Sequence, residues 1–276
     1  MKRARPQIFV FTHHKVGTVL FQRILTDLSR RFGLSMRTIG GMARSADHGT
    51  DIVLFVHSLI DFDLGNHDYH GVHVVRDPRD VWLSGYLYHQ HCDEKWCTNT
   101  NLDPAAPIEF PRVPYSQAHR DEIWKRRYLE SLGGRSYQQN LLDRDRAEGL
   151  RFELDRYASW TIEAMRDWKP RPGEVMELQM ERISSKFDLT MRRTLRHLGF
   201  HDRQLDEALA IAVQEDASRM SESQIASNPH IHSRKLSKWK EMLPSGDIRE
   251  IESRFGAVFT QLGYALDAAE EPARLS

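Results

Sequence analysis

The stretch FTHHKVGTVLFQRIL, residues 11–25, decides how the first part of the chain folds. The apolar run QIFVF ends at Phe11 and has the β-branched and aromatic composition of a buried strand. After a short polar loop, apolar side chains return at helical spacing and predict a helix over residues 18–31; they are Leu20, Ile24, Leu25 and Leu28. The sequence therefore predicts a strand, a loop and a helix in close succession.

The loop between this strand and this helix has the composition of an anion site. Gly17 and Thr18 stand directly before the helix, where backbone N–H groups and the helix dipole together attract negative charge. In an ATP-binding loop a lysine follows the second of two glycines, but here Lys15 precedes Gly17 and no second glycine lies upstream. This stretch alone leaves two interpretations, a site for an anion other than ATP or a turn capped by Thr18 with Lys15 in solvent.

Further strands and helices alternate along the chain. Strands are expected at 51–60, at 71–78 and within RPGEVMELQME, residues 171–181. Helices are expected after Pro78, over 147–168, near 189–198, over 203–217 and over 246–262. Alternation of this kind is typical of a mostly parallel sheet that is covered on both faces. The predicted fold class is therefore α/β, a three-layer αβα sandwich.

Composition and charge restrict the classes of function. The 276 residues are 40% hydrophobic and 28% charged, and 39 basic and 39 acidic residues give a formal net charge of zero. No global field therefore recruits nucleic acid or an acidic membrane, and any anion binding must come from local clusters. No apolar run approaches the roughly 18 residues that span a bilayer, and the apolar part of MKRARPQIFVF is too short for a signal peptide. A cytoplasmic protein is expected.

The two cysteines do not form a recognisable metal site. Cys92 and Cys97 lie near His89 and His91, but their spacing matches none of the usual zinc patterns. Two reduced cysteines in a polar loop are expected, and a disulfide or a bound metal is the alternative.

The region 90–145 is the least regular part of the sequence. Residues 90–118 lose hydrophobic periodicity and are rich in proline, which is more typical of a functional lid or binding loop than of a linker. The stretch 121–132 is a candidate amphipathic helix at a homodimer contact. Aromatic side chains of the region could form a wall for a sugar or an aromatic alcohol, or could be ordinary lid packing; they are Trp96, Tyr115, Trp124, Tyr128 and Tyr137.

A second stretch, HVVRDPRDVWLSGYLYH at 73–89, also combines a strand end with a helix start. Arg76 stands at the predicted strand end and Ser84 in the second turn of the predicted helix. A guanidinium fork and a hydroxyl that converge on one site suit a phosphate group. The alternative is a charged Arg-Asp-Pro-Arg-Asp turn held by its own ion pairs.

Together these stretches resemble the PAPS-dependent sulfotransferases. HHKVGTVLFQRIL looks like the family's 5′-phosphosulfate loop, commonly written Lys-Ser/Thr-Gly-Thr-Thr, and VVRDPRDVWLSGYLYH is similar to its 3′-phosphate motif. Weaker similarity continues in VMELQMERI and SRKLSKWKEML, so that roughly 90–145 is the part without a counterpart. The resemblance implies a single domain over 1–276 with a nucleotide-kinase-like α/β sandwich, in which 90–145 is a substrate-binding insertion or lid.

The resemblance implies a role for each residue of the two motifs. The Thr18 hydroxyl and the backbone of the loop would hold the 5′-phosphosulfate of PAPS, and Lys15 would also stabilise the bridging oxygen as sulfate leaves. No metal ion is required. The loop residues concerned are Lys15, Val16, Gly17, Thr18 and Val19. The residues implied for the 3′-phosphate are Arg76, Ser84, Arg234 and Lys235.

The reaction needs a base for the acceptor hydroxyl, a group on a small molecule or carbohydrate. Many members of the family carry a histidine just after the strand that follows the first helix, and His57 stands at that position. An imidazole that titrates near neutrality suits general-base work. The alternatives are that His57 only caps a strand end, or that His13 or His14, which flank the loop, is the base.

The chain departs from the family pattern at three positions. Leu20 stands where an adenine-stacking tryptophan is common, Met180 replaces a tyrosine, and Leu236 replaces a glycine. Two other functions are alternatives to sulfuryl transfer to a hydroxyl or amine. A nucleotide-dependent phosphotransferase of the P-loop kinase type would need a lysine after the glycine, and a binding protein without activity would lack Lys15, Arg76 or a base.

Overall fold

The computed structural model describes residues 5–101, 103, 109–112, 121–169, 174–226 and 237–267. These residues form two compact units. The sheet unit comprises the described residues of 1–76 and 168–236, and the helical unit comprises those of 77–167 and 237–276. The single domain expected over 1–276, with its lid at 90–145, stays a prediction.

The sheet unit is built on five parallel strands in the order β2-β3-β1-β4-β5. Helices flank this sheet, which confirms the predicted α/β class with a parallel central sheet. The strands are β1 (Gln7–Phe11), β2 (Met36–Ile39), β3 (Ile52–Phe55), β4 (Tyr69–Val75) and β5 (Val175–Gln179).

The central strand β1 is positioned by its apolar sequence. All five of its residues are buried, and its neighbours are β3 on one side and β4 on the other. The chain thus changes direction across the sheet at β1, and ligands of open parallel sheets bind outside the carboxyl ends of strands at such a point. The loop that follows β1 lies at that place.

One face of the sheet is packed by aromatic rings. Phe11 stacks on Phe55 with centroids 4.9 Å apart, and Trp168 approaches Phe11 to 4.4 Å. Phe9 stacks on Tyr69 at 4.7 Å. Successive strand residues point to opposite faces, so residues 9 and 11 of β1 share this face. These rings fix the sheet directly beneath the loop.

The edge strand β2 was not predicted from the sequence. Its residues MRTI are half-buried or exposed, and it pairs only with β3 among the described strands. An edge strand of four residues with two polar side chains shows neither an apolar run nor a clear alternation.

The helices of the sheet unit agree with the expected periods. α1 confirms the helix expected at 18–31, and α9 and α10 confirm those near 189–198 and 203–217, the second of which ends in a 3₁₀ turn at Val213–Glu215. The helices are α1 (Thr18–Phe32), α8 (Met180–Ser185), α9 (Phe187–His197), α10 (Asp202–Ala212) and α11 (Glu222–Ala226).

The helical unit begins with the helix predicted at Pro78. The carboxylate of Asp77 accepts from the N–H of Arg79 over 2.9 Å and caps the helix, while Pro78 takes the first position. The helices are α2 (Pro78–His89), α3 (Lys95–Thr98), α4 (Glu122–Ser131), α5 (Tyr137–Leu142), α6 (Arg146–Glu153), α7 (Ser159–Asp167), α12 (Trp239–Met242) and α13 (Ser245–Gln261).

Two expectations for this unit needed correction. The short helix α3 lies within 90–118, where the loss of periodicity had predicted no regular structure. The helix expected over 147–168 is divided into α6 and α7 by a π-helical turn at Leu154–Ala158, and Trp168 follows its end. Neither feature leaves a signal in apolar spacing, because α3 has only four residues and a π turn inserts one residue into an otherwise continuous helix.

The second part of the Arg-Asp-Pro-Arg-Asp stretch, residues 77–80, is buried. Arg79 is buried and pairs with Asp77 at 2.8 Å and with Glu252 of α13 at 2.6 Å. Its guanidinium also lies 3.6 Å from the ring centroid of Trp239. The Asp80 carboxylate accepts from the backbone N–H of Trp239 over 3.2 Å. Within the helical unit, this part is therefore a charged turn held by ion pairs.

Across the described ranges, no helix combines the length and the apolar character needed to cross a membrane.

Candidate active site

The loop between β1 and α1 closes tightly at the carboxyl end of the central strand. The N–H of Val16 donates to the carbonyl of His13 over 3.1 Å, and the Val16 side chain is buried. Lys15 has a φ of 59°, in the left-handed region that costs a residue other than glycine about 1–2 kcal/mol. Strained residues of this kind persist only where the surroundings hold them, and they concentrate at functional sites.

Arg76 holds this strained loop. It directly follows β4, is half-buried, and its Nη1 donates to the carbonyl oxygen of Lys15 over 2.9 Å. Because β4 lies beside β1, the guanidinium reaches the loop from the neighbouring strand end. The structure thus brings together Lys15 and Arg76, two residues expected to bind the same ligand.

Gly17 is required where the loop meets the helix. Its φ is 75°, and a Cβ at this position would lie 2.7 Å from the Sδ of Met180 at the start of α8. A side chain at this position would be strained by the backbone conformation, and it would also require the Met180 side chain to move.

The N-terminus of α1 carries an uncompensated positive end. Its first turn has no acidic residue, and no side chain from the described parts of the chain caps it. The first helical hydrogen bond runs from Phe21 N–H to the Gly17 carbonyl over 3.0 Å, so the N–H groups of Thr18, Val19 and Leu20 lie outside the helical ladder. A helix end of this kind attracts anions.

The Thr18 hydroxyl is used inside the loop. It lies 2.8 Å from the Thr12 hydroxyl and 3.2 Å from the His13 carbonyl, and the Thr12 hydroxyl lies 3.1 Å from the Val56 carbonyl. One hydroxyl donates to the other, and the hydroxyl that accepts donates to its own carbonyl. These bonds connect the end of β1, the start of α1 and the end of β3. Within this arrangement the Thr18 hydroxyl already has hydrogen-bond partners inside the loop.

Four histidines gather around the ends of β1, β3 and β4. The rings of His14 and His57 are 6.4 Å apart between centroids with 28° between their planes. The Nε2 atoms of His13 and His73 are 2.8 Å apart. His13, His57 and His73 are buried, and His14 is half-buried.

Burial keeps two of these rings neutral. It lowers the pKa of His13 well below the ordinary value, and the neighbouring His73 and His57 lower it further. Burial also lowers the pKa of His73 to about 3. A ring that resists protonation and already uses its Nε2 is a poor final base, so of the three expected candidates His57 and His14 fit best.

Of the other expected ligands of the 3′-phosphate, one belongs to the helical unit and two lie outside the described residues. Ser84 is half-buried on α2 in the helical unit. Arg234 and Lys235 lie outside the described residues, as does Leu236.

The aromatic side chains of 90–145 divide by burial. Trp96, Tyr128 and Tyr137 are buried, and the Tyr137 hydroxyl donates to the Glu153 carboxylate over 2.8 Å. These three rings therefore pack the helical unit. Trp124 is half-buried and stacks on Tyr128 at 5.3 Å. Tyr115 lies outside the described residues.

Comparison with known proteins shows that no family model matches the chain and that no curated protein matches its sequence. A solved structure to which the chain is similar is the mouse sulfotransferase SULT7A1 complexed with PAP. The two are 14% identical with a TM-score of 0.48, and the match covers 95% of this chain and 86% of that chain. At this level the likeness carries no argument about the reaction, which has to be inferred from the residues of the site.

We expect Gly17→Ala to destabilise the protein more than Gly33→Ala does. Gly33 at the end of α1 has a φ of 62° but nothing within 4 Å of an added Cβ, so it reports backbone strain alone, about 1–2 kcal/mol. The Met180 contact should add roughly 1–3 kcal/mol at Gly17. Urea unfolding of both variants, each also in a Met180→Ala background, separates the cost of backbone strain from the cost of the Met180 contact. Equal costs in the wild-type background would show that the sulfur simply moves aside.

The neutral histidines predict acid sensitivity. In the unfolded chain a histidine takes up a proton near pH 6.5, whereas the lowered pKa of His13 and His73 prevents this in the folded state. The free energy of unfolding should therefore fall as pH drops below about 6.5, by up to about 1.4 kcal/mol per pH unit for each ring. Urea midpoints between pH 7.5 and 5 should show a shallower dependence for His73→Phe. Exposed His91→Phe serves as the control, and parallel slopes for wild type and His73→Phe would contradict the prediction.

Proposed function

We propose that the protein is a PAPS-dependent sulfotransferase that transfers a sulfuryl group to a hydroxyl or amine of a small-molecule or carbohydrate acceptor. The observation that carries the proposal is the loop after β1. Arg76 holds Lys15 in a strained conformation immediately before the uncapped start of α1. Lys15 precedes Gly17 in this loop, as in the phosphosulfate loop of the family that the sequence resembles. In an ATP loop the lysine follows the glycine.

The charges of this loop suit the phosphosulfate end of PAPS. Lys15 supplies a full positive charge, and the first N–H groups of α1 supply directed donors with a partial positive charge. We assign the 5′-phosphosulfate to the backbone of residues 15–19 and to the Lys15 ammonium. The Thr18 hydroxyl, already bonded to Thr12 and His13, shapes the loop.

Arg76 can serve the loop and a ligand together. A guanidinium has five N–H donors, and among the described residues Arg76 uses one atom, Nη1, on the Lys15 carbonyl. We assign the 3′-phosphate to its other donors and to Ser84, Arg234 and Lys235, the last three on the resemblance alone. This assignment links recognition of the 3′-phosphate to the conformation of Lys15.

The reaction then needs stabilisation of a leaving oxygen and acceptance of a proton. PAPS supplies the activated sulfuryl group. Lys15 stabilises the bridging oxygen, which keeps the electron pair as its bond to sulfur breaks and PAP leaves. His57 takes the proton that the acceptor loses as its oxygen or nitrogen bonds to sulfur in line. Loss of one donor that stabilises developing charge typically lowers the rate by about 10²–10³.

His57 is the preferred base because of its position. It lies two residues beyond β3, the strand next to β1, and it is buried beside the half-buried ring of His14. Removal from bulk water and contact with a second ring fix its orientation, which general-base catalysis requires.

We expect PAP to stabilise the full chain against heat more than ATP with Mg²⁺ or adenosine 5′-phosphosulfate does. A ligand at about 100 times its Kd adds roughly 2.7 kcal/mol. Arg76→Ala should weaken PAP binding by about 10–100-fold, because a charge-assisted hydrogen bond contributes about 1.5–3 kcal/mol. Arg203→Ala, which removes an exposed arginine of the sheet unit, should leave the Kd unchanged. Stabilisation by ATP with Mg²⁺ and not by PAP would instead favour a phosphotransferase.

We expect His57→Ala to lower the rate of PAP release from PAPS by roughly 10²–10⁴-fold, while the Kd for PAP stays within about twofold of the wild-type value. The release is measured with a panel of hydroxyl and amine acceptors. His14→Ala is the matched variant, because it removes the stacked partner ring. Turnover that survives His57→Ala and is lost in His14→Ala would move the role of base to His14.

A further inference from the structure

A cavity of about 730 Å³ lies within the helical unit, and its described lining residues all fall between Ser131 and Arg156. They come from the end of α4, the turn that follows it, α5, α6 and the π-helical turn at Leu154–Ala158. Small-molecule sites typically have volumes of about 300–1,000 Å³. None of these lining residues belongs to the loop after β1, so the cavity is a second place at which the protein can hold a ligand.

Basic side chains outnumber acidic ones at this cavity. Four arginines and three acidic residues line it in the described part of the chain. Two of the arginines are exposed and have carboxylate neighbours. Arg135 pairs with Asp143, and Nε of Arg151 lies 3.8 Å from Oε2 of Glu250. The other two arginines form no ion pair with any described residue.

Those two arginines, Arg144 and Arg156, lie against the same buried ring. Their guanidinium carbons are 4.5 Å and 3.9 Å from the ring centroid of Phe152. Both are half-buried, and each uses one nitrogen on the described residues. Nη1 of Arg144 donates to the carbonyl and the side-chain oxygen of Asn140, and Nη2 of Arg156 donates to the Ser131 carbonyl over 3.4 Å. A guanidinium has five N–H donors, so most donors of both groups remain for a ligand.

Helix capping explains only part of this arrangement. Ser131 and Asn140 lie in the last turns of α4 and α5, so each arginine meets helix carbonyls that carry a partial negative charge. Burial lowers the pKa of Arg156 below its ordinary value, and the nearby charge of Arg144 lowers it further. Two full positive charges near one ring repel each other, and the partial charges of carbonyls do not neutralise them.

The acidic residues of the lining do not pair with these two arginines. The Asp155 carboxylate raises the pKa of Arg156 and so offsets part of these effects, but it is itself paired with Arg254 of α13 at 2.7 Å. Glu148 is exposed and forms no ion pair with the described residues. Partly buried charges in proteins are normally paired. The arrangement therefore favours an external anion as the partner of both guanidinium groups.

We propose that this cavity binds a sulfate or phosphate ester through the guanidinium groups of Arg144 and Arg156. Planar guanidinium forks suit oxoanions, to which each donates two parallel hydrogen bonds. A carboxylate has two oxygens, which a single fork occupies, whereas a sulfate or phosphate ester has three terminal oxygens and accepts from two forks. The rest of the cavity takes the organic part of the ester. This site is independent of the proposed function, because its residues belong to the helical unit alone.

Calorimetric titration of the full chain at low ionic strength tests the class of ligand. We expect glucose 6-phosphate and glucose 6-sulfate to bind, glucuronate to bind about tenfold more weakly, and glucose not to bind, because charge-assisted hydrogen bonds supply most of the affinity. The ester that binds more tightly identifies the ligand as a phosphate or a sulfate ester. Absence of binding by both esters, or equally tight binding of glucuronate, would overturn the proposal.

Arg144→Gln and Arg156→Gln test the position of the site. Glutamine keeps an amide donor for the helix carbonyls but lacks the charge, so each variant should weaken ester binding by about 10–100-fold. Arg151→Gln is the matched control, because Arg151 lines the same cavity but lies beside Glu250; its Kd should stay within about twofold of the wild-type value. Unchanged Kd values in both Arg144→Gln and Arg156→Gln would overturn the proposal, as would an equal loss in Arg151→Gln.

NMR of the wild-type full chain locates the anion even where a variant fails to fold. In ¹H–¹⁵N spectra of the arginine side chains, the Nε–H signals of Arg144 and Arg156 should shift with added ester and report the calorimetric Kd. The signal of Arg203, an exposed arginine of the sheet unit, should not shift. Shifts at Arg76 in place of these two arginines would put the anion at the loop after β1 and would overturn the proposal.

Discussion

The close approach of the Gly17 backbone to the Met180 sulfur is the constraint on which the site depends. With a bare Cα at this point, the chain can leave β1, turn within the six residues 12–17 and enter α1. A larger residue would have to adopt a φ of 75° and would require the side chain of Met180 to move.

Positive charge at the site comes from a few neighbouring groups and not from the net charge of the chain. The whole chain has no net charge, yet the loop combines a lysine, an arginine and the positive end of a helix dipole. The histidines beneath them add no further positive charge, because burial holds at least His13 and His73 neutral. The positive charge of the site therefore comes from Lys15, Arg76 and the start of α1, and not from these two rings.

Much of this arrangement could be predicted from local sequence. The apolar run of β1, the helical spacing after Thr18 and the proline at the start of α2 each have a short-range signal, and each element formed within a few residues of its expected bounds. Lys15 and Arg76 were expected to share a ligand, and the structure places them in direct contact through the Lys15 carbonyl.

Features that depend on register could not be predicted. The pairing of His13 with His73 joins residues 60 positions apart, and Glu177 lies a further 104 positions along the chain from His73. Only the alignment of β1, β4 and β5 places these side chains in one row. The sequence of β4 contains two histidines, His70 and His73, and neither of them indicates a partner. The edge strand β2 was missed because half of its surface meets solvent.

The Arg-Asp-Pro-Arg-Asp stretch illustrates how a short motif can serve two independent needs. Arg76 belongs to the sheet unit and supports the loop, whereas Asp77, Arg79 and Asp80 belong to the helical unit and fasten α2 to Trp239 and Glu252. Removing one partner of a buried ion pair typically destabilises a protein by about 3–5 kcal/mol. Loss of activity after substitution at Arg79 would thus report a lower yield of folded protein, while on the proposed function the same loss at Arg76 would report weaker ligand binding. Two arginines three residues apart in one motif would then lose activity for unrelated reasons.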